Sequence, residues 1–296
     1  MAAVDAAPVG APTNGRPRRR SLTAAPTTWL VWALVAAFFV FLVGILVSVV
    51  VDSFGKQWFD TWLPVEATSQ WYTNAWERFD LTHVIGVTVG VAVTVVVISV
   101  LIGVPAAYML ARRNFPGKNL VILLFLLPII VPPITYGIPL ATVMYNVGLG
   151  RTLTAVILVN LVPSVPFVIM TMTPFIEQIN PAIENAARMC GATMKDVFVR
   201  ILAPLLVPGI LAAAILVLVR TVGMFELTFL VSGPPTDTLV VAIYRAMTSA
   251  GGGEARQLVS AMAVLYTTTM LIILIVALRY INPAQLVAQV RDARED

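Results

Sequence analysis

Six long apolar runs dominate this chain: Thr27–Val51, Val84–Ala111, Asn119–Tyr145, Leu153–Ile176, Leu205–Val231 and Leu258–Ile281. A helix needs about 20 apolar residues to cross a bilayer. Inside lipid, only helices and closed barrels satisfy every backbone polar group. Each run carries at most two charged residues, mostly at its ends. Charged residues make up 11% of the chain, against about 25% in soluble domains. The expected fold class is therefore an all-α membrane protein with six transmembrane helices.

The runs divide the chain. Residues 1–26 are rich in Ala, Pro, Gly and Thr, include "RPRRR" and lack apolar periodicity, which predicts a disordered basic tail. Residues 27–83 hold the first transmembrane helix and a polar segment containing several tryptophans, residues 84–281 the other five helices, and 282–296 a C-terminal tail. The first run is too long for a signal-peptide core, and no small-x-small cleavage site follows it, so it reads as an uncleaved membrane helix. Of the nineteen Lys and Arg residues, an N-terminus-inside arrangement puts thirteen on the inner side and five on the outer. That asymmetry predicts cytoplasmic termini and a cytoplasmic segment between spans four and five. A single cysteine, Cys190, and a single histidine, His83, rule out an intrachain disulfide and any site needing two histidines. The net charge of +4 is small and unevenly placed. It fits membrane orientation and gives no reason to expect nucleic acid as a partner.

One interior stretch departs from the apolar background: "IENAARMCGATMKDVFVRILAPLLVPG". Asn180 is a good N-cap and Pro181 a good first helical residue. Ile183, Ala186, Ala187 and Cys190 recur at helical spacing on one face, with Glu184, Asn185 and Arg188 pointing elsewhere. Gly191 ends this helix. Thr193 and Asp196 form a capping-box pattern for a second, and Pro204 then marks the start of the fifth span. The product is a helix–Gly–helix elbow whose first helix offers small residues for close approach of another surface.

This stretch resembles the signature loop of the inner-membrane permease subunits of bacterial ABC importers. The family pattern is Glu-Ala-Ala, three residues, Gly, nine residues, Ile-x-Leu-Pro. Here stand Asn185-Ala186-Ala187, Gly191 and Ile201-Leu202-Ala203-Pro204 at the same spacing. Asn185 replaces the acid, with Glu184 one residue early, and Ala203 replaces Leu. The resemblance covers about residues 84–281. It implies a coupling helix that docks on a cytoplasmic ATPase dimer, with Glu184, Asn185, Ala186, Ala187, Gly191, Ile201 and Pro204 as ATPase-coupling residues. It also implies a second permease subunit, identical or paralogous, an extracytoplasmic solute-binding protein, and residence in a bacterial inner membrane. The chain has no Walker A motif, so it is expected to be no enzyme and to bind no cofactor, with ATP and Mg held by the partner ATPase.

Prolines crowd the spans at 105, 128, 132, 133, 139, 163 and 166. Broken helices at membrane depth are tolerated where they are buried in protein or line a cavity. Arg220 and Glu226 are ionisable residues inside the fifth run, separated by about 240° on an unbroken helix. With Met224, Phe225 and Thr228 they are the candidate translocation residues, and Gly223 could bend the helix between them. The segment 225–247 is similar to permeases of the polyamine, iron and thiamine branch, with carbohydrate or polyol as the second expectation. The competing class is a self-sufficient secondary transporter or channel, for which paired broken helices in two repeated halves would be expected. No internal repeat is evident in the sequence.

Overall fold

The structure, a computed structural model, describes residues 26–57, 63–249 and 253–280. The two tails expected to flank the helices lie outside these residues, apart from Pro26, as does most of the Gly251–Gly253 loop. The chain falls into two compact units, residues 1–47 and 48–296. The first unit is described only through helix α1, Pro26–Phe54, which continues into the second. Residues 28–47 expose their side chains all round, as an apolar helix facing lipid does.

The described regular structure of the second unit is helical except for a short antiparallel pair, β1 (Gly55–Gln57) and β2 (Glu66–Ala67). Helices α2 (Gln70–Phe79), α3 (Leu81–Arg112), α4 (Lys118–Ile130), α5 (Pro133–Asn146) and α6 (Leu153–Gln178) follow. Then come α7 (Pro181–Met189), α8 (Met194–Asp196), a π-helical stretch Val197–Leu202, and α9 (Ala203–Val222). Last are α10 (Glu226–Val231), α11 (Leu239–Thr248) and α12 (Arg256–Tyr280). Among the described residues, five helices are long and apolar enough to cross a membrane, and the pair α4–α5 makes a sixth candidate, bent by 98°.

The core is built on α3 against α6, with α9 packed on both. At Gly103, α3 and α6 approach closely: a Cβ there would lie 2.7 Å from Val168 Cγ1. Small residues at such crossings let helices meet closely without a hydrophobic drive from water.

The third expected membrane helix, Asn119–Tyr145, is two helices. Val131 is extended and Pro132 and Pro133 follow it. Pro132 has no N–H to return to the carbonyl of Pro128 four residues back. That carbonyl instead accepts from the Tyr136 hydroxyl at 3.4 Å. The fifth run also differs from its expected form. Pro204 does not begin a new helix, because Met194–Val222 runs on as one helix through the π stretch. Pro204 cannot donate to the carbonyl of Arg200, and a π turn at that point absorbs the missing bond.

On the side of α2, the polar segment is tied down. Trp71 Nε1 donates to Gly55 O at 2.8 Å. Asp52 accepts from Arg256 at 2.8 Å and from Ser260 at 2.7 Å, and Arg78 pairs with Glu254. His83, near the start of α3, donates from Nε2 to the carbonyl of Pro235 at 2.9 Å.

Candidate functional site

The elbow forms from local chemistry. The Asn180 side chain accepts from Ala182 N at 2.9 Å, and Pro181 takes the first helical position. At the other end Gly191 has φ of 88°, a region where glycine costs least. Gly191 N bonds Arg188 O at 3.0 Å and Ala192 N bonds Ala187 O at 3.1 Å, which is the Schellman closure. The expected capping box is present, with Thr193 and Asp196 bonding each other's backbone N–H at 3.3 Å.

A nine-residue helix is too short to hold itself together by backbone bonds alone. What fixes α7 is the side chain that the residue pattern put on its polar side. Glu184 is 4% exposed. Its Oε1 accepts from Arg112 Nε at 2.7 Å and its Oε2 from the Tyr108 hydroxyl at 2.8 Å. Arg112 reaches on to the carbonyl of Ile179 at 2.7 Å. Tyr108 packs edge-on against Phe198, centroids 5.6 Å apart. The face of Ile183, Ala186 and Cys190 is exposed, as is Asn185, while Ala187 is half-buried against the core. The helix is thus turned so that its acid faces the bundle and most of its small residues face out. Ile201 is half-buried and Pro204 exposed in the helix beyond.

The second region lies where two broken helices meet. Helix α9 ends at Gly223, and α10 begins at Glu226. Helix α5 packs on α10: a Cβ on Gly137 would meet Leu227 and Leu230 at 2.9 Å. Arg220 and Glu226 are both half-buried here. The Arg220 guanidinium lies 5.5 Å from the centroid of the Phe167 ring. Among the described residues neither ion has an oppositely charged partner within the 4.0 Å of a salt bridge. Phe225 stacks on Phe229 at 5.2 Å, and Tyr244 tilts against Phe225 at 4.9 Å. Met224 and Thr228 sit behind this surface, buried, with Thr228 Oγ1 accepting from Asn160 Nδ2 at 3.1 Å.

Arg112, Tyr108, Tyr136 and Phe167 were not singled out from the sequence. Arg112 stood there only as one of the inner charges. Its partner is 72 residues away, and no spacing rule reaches that far.

The model of the family described as "Binding-protein-dependent transport system inner membrane component" matches residues 99–287. The trehalose transport system permease protein SugB of Mycobacterium tuberculosis is 37% identical over 132 residues, 45% of this chain and 48% of that protein. The molybdenum transport system permease protein ModB of Haemophilus influenzae is 29% identical over 187 residues, 57% of this chain and 81% of that one. The match thus spans about half the length of the first relative and most of the second. A crystal structure of a bacterial ABC transporter involved in the import of the acidic polysaccharide alginate has a chain that aligns at a TM-score of 0.70. That alignment covers 86% of this chain and 96% of that one, at 18% identity, a likeness of fold alone.

Proposed function

This chain belongs to the family of binding-protein-dependent transport system inner membrane components, and from that premise we propose that it forms half of the solute pathway of an ATP-driven importer. A second permease subunit supplies the other half. The elbow is cytoplasmic, and the exposed side of α7 docks on one subunit of an ATPase dimer that holds ATP and Mg. An extracytoplasmic solute-binding protein delivers the solute. Asn185, Ala186 and Gly191 belong to the docking side, and Glu184, Ala187, Ile201 and Pro204 hold it to the bundle.

The observation that carries the pathway is Arg220 and Glu226 at the junction of α9 and α10, half-buried and, among the described residues, each without an oppositely charged partner within 4.0 Å. A charge facing lipid in mid-span costs about 3 kcal/mol even on the lenient scale. Two half-exposed ones, beside two helix breaks, fit a wet, protein-covered surface far better than a lipid-facing one. Arg220, Phe225 and Glu226 line it, with Met224 and Thr228 setting their positions from behind.

For the solute we infer a small carbohydrate or polyol. Partly exposed aromatic rings beside a few ionic hydrogen-bonding groups suit a hydroxyl-rich molecule with apolar C–H faces. The trehalose permease among the relatives supports this class. The polyamine-like branch suggested by residues 225–247 gains nothing from either named relative. A self-sufficient transporter is the weaker reading for a chain of this family.

The test is reconstitution of the chain with its co-purifying ATPase, second permease subunit and binding protein in vesicles. ATP-dependent accumulation of trehalose, reduced about tenfold by Arg220→Ala, is the expected outcome. ATP-independent accumulation would return the self-sufficient reading. Accumulation of putrescine or molybdate in its place would overturn the solute class.

A further inference from the structure

We propose that Glu184, Arg112 and Tyr108 form a latch that makes α7 and the last turns of α3 one moving part. This rests on the importer reading above and adds to it a route for the force. The connection along the chain runs from α7 through Gly191 into α8 and α9. The structure provides a second connection, through side chains, into α3.

Three observations carry it. First, the carboxylate of Glu184 is buried and fully engaged, with Arg112 on one oxygen at 2.7 Å and Tyr108 on the other at 2.8 Å. Arg188 stands 3.8 Å away as a more distant second cation. Second, Arg112 bridges two segments at once, since it also holds the carbonyl of Ile179 just before α7. Third, α3 has a place to flex next to the latch. Gly103 is pressed against Val168 of α6, and Pro105 follows two residues later inside the helix. Proline removes a backbone bond and weakens the helix at that turn. Tyr108 and Arg112 lie beyond it, one and two turns on. Before Pro105, α3 is pressed on α6 at Gly103; beyond it, the end is held by side chains both to α7 and to the carbonyl of Ile179 at the end of α6, with a weakened turn between. Pushing α7 moves the end of α3 about Pro105. Arg112 and Tyr108 act as positioning residues: they touch neither ATP nor solute.

Two experiments on the reconstituted complex test this. In the first, Cys190 is replaced by serine, cysteines are placed as Arg112→Cys and Glu184→Cys, and a short bis-thiosulfonate reagent links them. The unlinked double-cysteine protein has lost the latch, so for a unit that moves together the link is expected to restore ATP-dependent uptake to within about twofold of the wild type. Linkage that abolishes uptake means α7 and α3 must part during transport, and overturns the proposal. In the second, Arg112→Gln with Glu184→Gln removes both charges together, which avoids a lone buried charge. The solute moved per ATP hydrolysed is expected to fall about fivefold or more, with recovery in the reversed pair Arg112→Glu with Glu184→Arg. An unchanged ratio in the neutral pair overturns the latch. If the neutral pair does not assemble, the linked protein alone decides. In both cases the wild-type complex is the control. A wild type without ATP-dependent uptake counts against the importer reading, whereas a competent wild type with either contrary result counts against the latch alone.

Discussion

Two charged regions of this bundle differ in one respect. At the elbow, Glu184 is buried and its oxygens are taken up by Arg112 and Tyr108. At the junction of α9 and α10, Arg220 and Glu226 are half-buried, and Arg220 faces an aromatic ring. A closed ion pair holds structure, and its removal leaves an orphaned charge. An open pair does little for the fold and is free to meet something else. On the function proposed above, the difference separates a mechanical contact from a pathway surface within a single chain.

Single substitutions at the two arginines should pull this contrast apart. Arg112→Ala leaves the buried Glu184 without its nearer cation, which costs about 3 kcal/mol, read as lost stability in detergent unfolding. Arg220→Ala loses a partly exposed cation–π contact worth about 0.5–1 kcal/mol, so it should unfold almost as wild type while failing in uptake. Equal destabilisation by the two would erase the distinction. Backbone packing offers a second contrast. Gly103→Ala drives a Cβ against the stiff Val168 side chain at 2.7 Å, and overpacking of that kind costs about 1–3 kcal/mol. Gly137→Ala meets only the ends of Leu227 and Leu230 at 2.9 Å, which can turn away, so its unfolding should shift less. Next comes the cap: Asn180→Ala removes one bond to Ala182 and costs about 1 kcal/mol, seen as faster hydrogen exchange confined to residues 181–189.

The smallest effect is far from both regions. Lys56 donates to Glu66 at 2.7 Å and its charge adds to the bond, holding the Glu66 carboxyl below the usual range. A lowered folded value means the stabilisation is complete above the unfolded value and is lost as pH falls through the folded one. Hydrogen exchange at β1 and β2, corrected for intrinsic rates, should quicken over that acidic window, and Lys56→Ala should remove the change. The pair is exposed, so the effect is small.

The elbow's backbone was legible because caps and turn residues act within four positions. Asn180, Pro181, Gly191, Thr193 and Asp196 each do what their chemistry predicts. The direction the helix faces was less so. Spacing grouped Ile183, Ala186, Ala187 and Cys190 as one face, but only a partner 72 residues away shows that Glu184 points inward. The prolines announced that the third apolar run would break, and it does so at Val131 and Pro132. They did not reveal that Pro204 would be absorbed by a π turn, because that depends on the packing of the residues before it. Arg220 and Glu226 were visible as charges in an apolar run. Tyr136 and Phe167 were not, since aromatic residues in a membrane helix carry no mark of what they face.

Cys190 offers the most direct test of the central claim, that the elbow is a cytoplasmic handle for an ATPase. It is a single exposed thiol at the end of α7. A thiol-reactive photo-crosslinker on Cys190, activated in the assembled complex, should join this chain to the ATPase subunit, and a maleimide that cannot cross membranes should not label Cys190 in intact cells. Labelling from outside, with no adduct to the ATPase, would contradict the account.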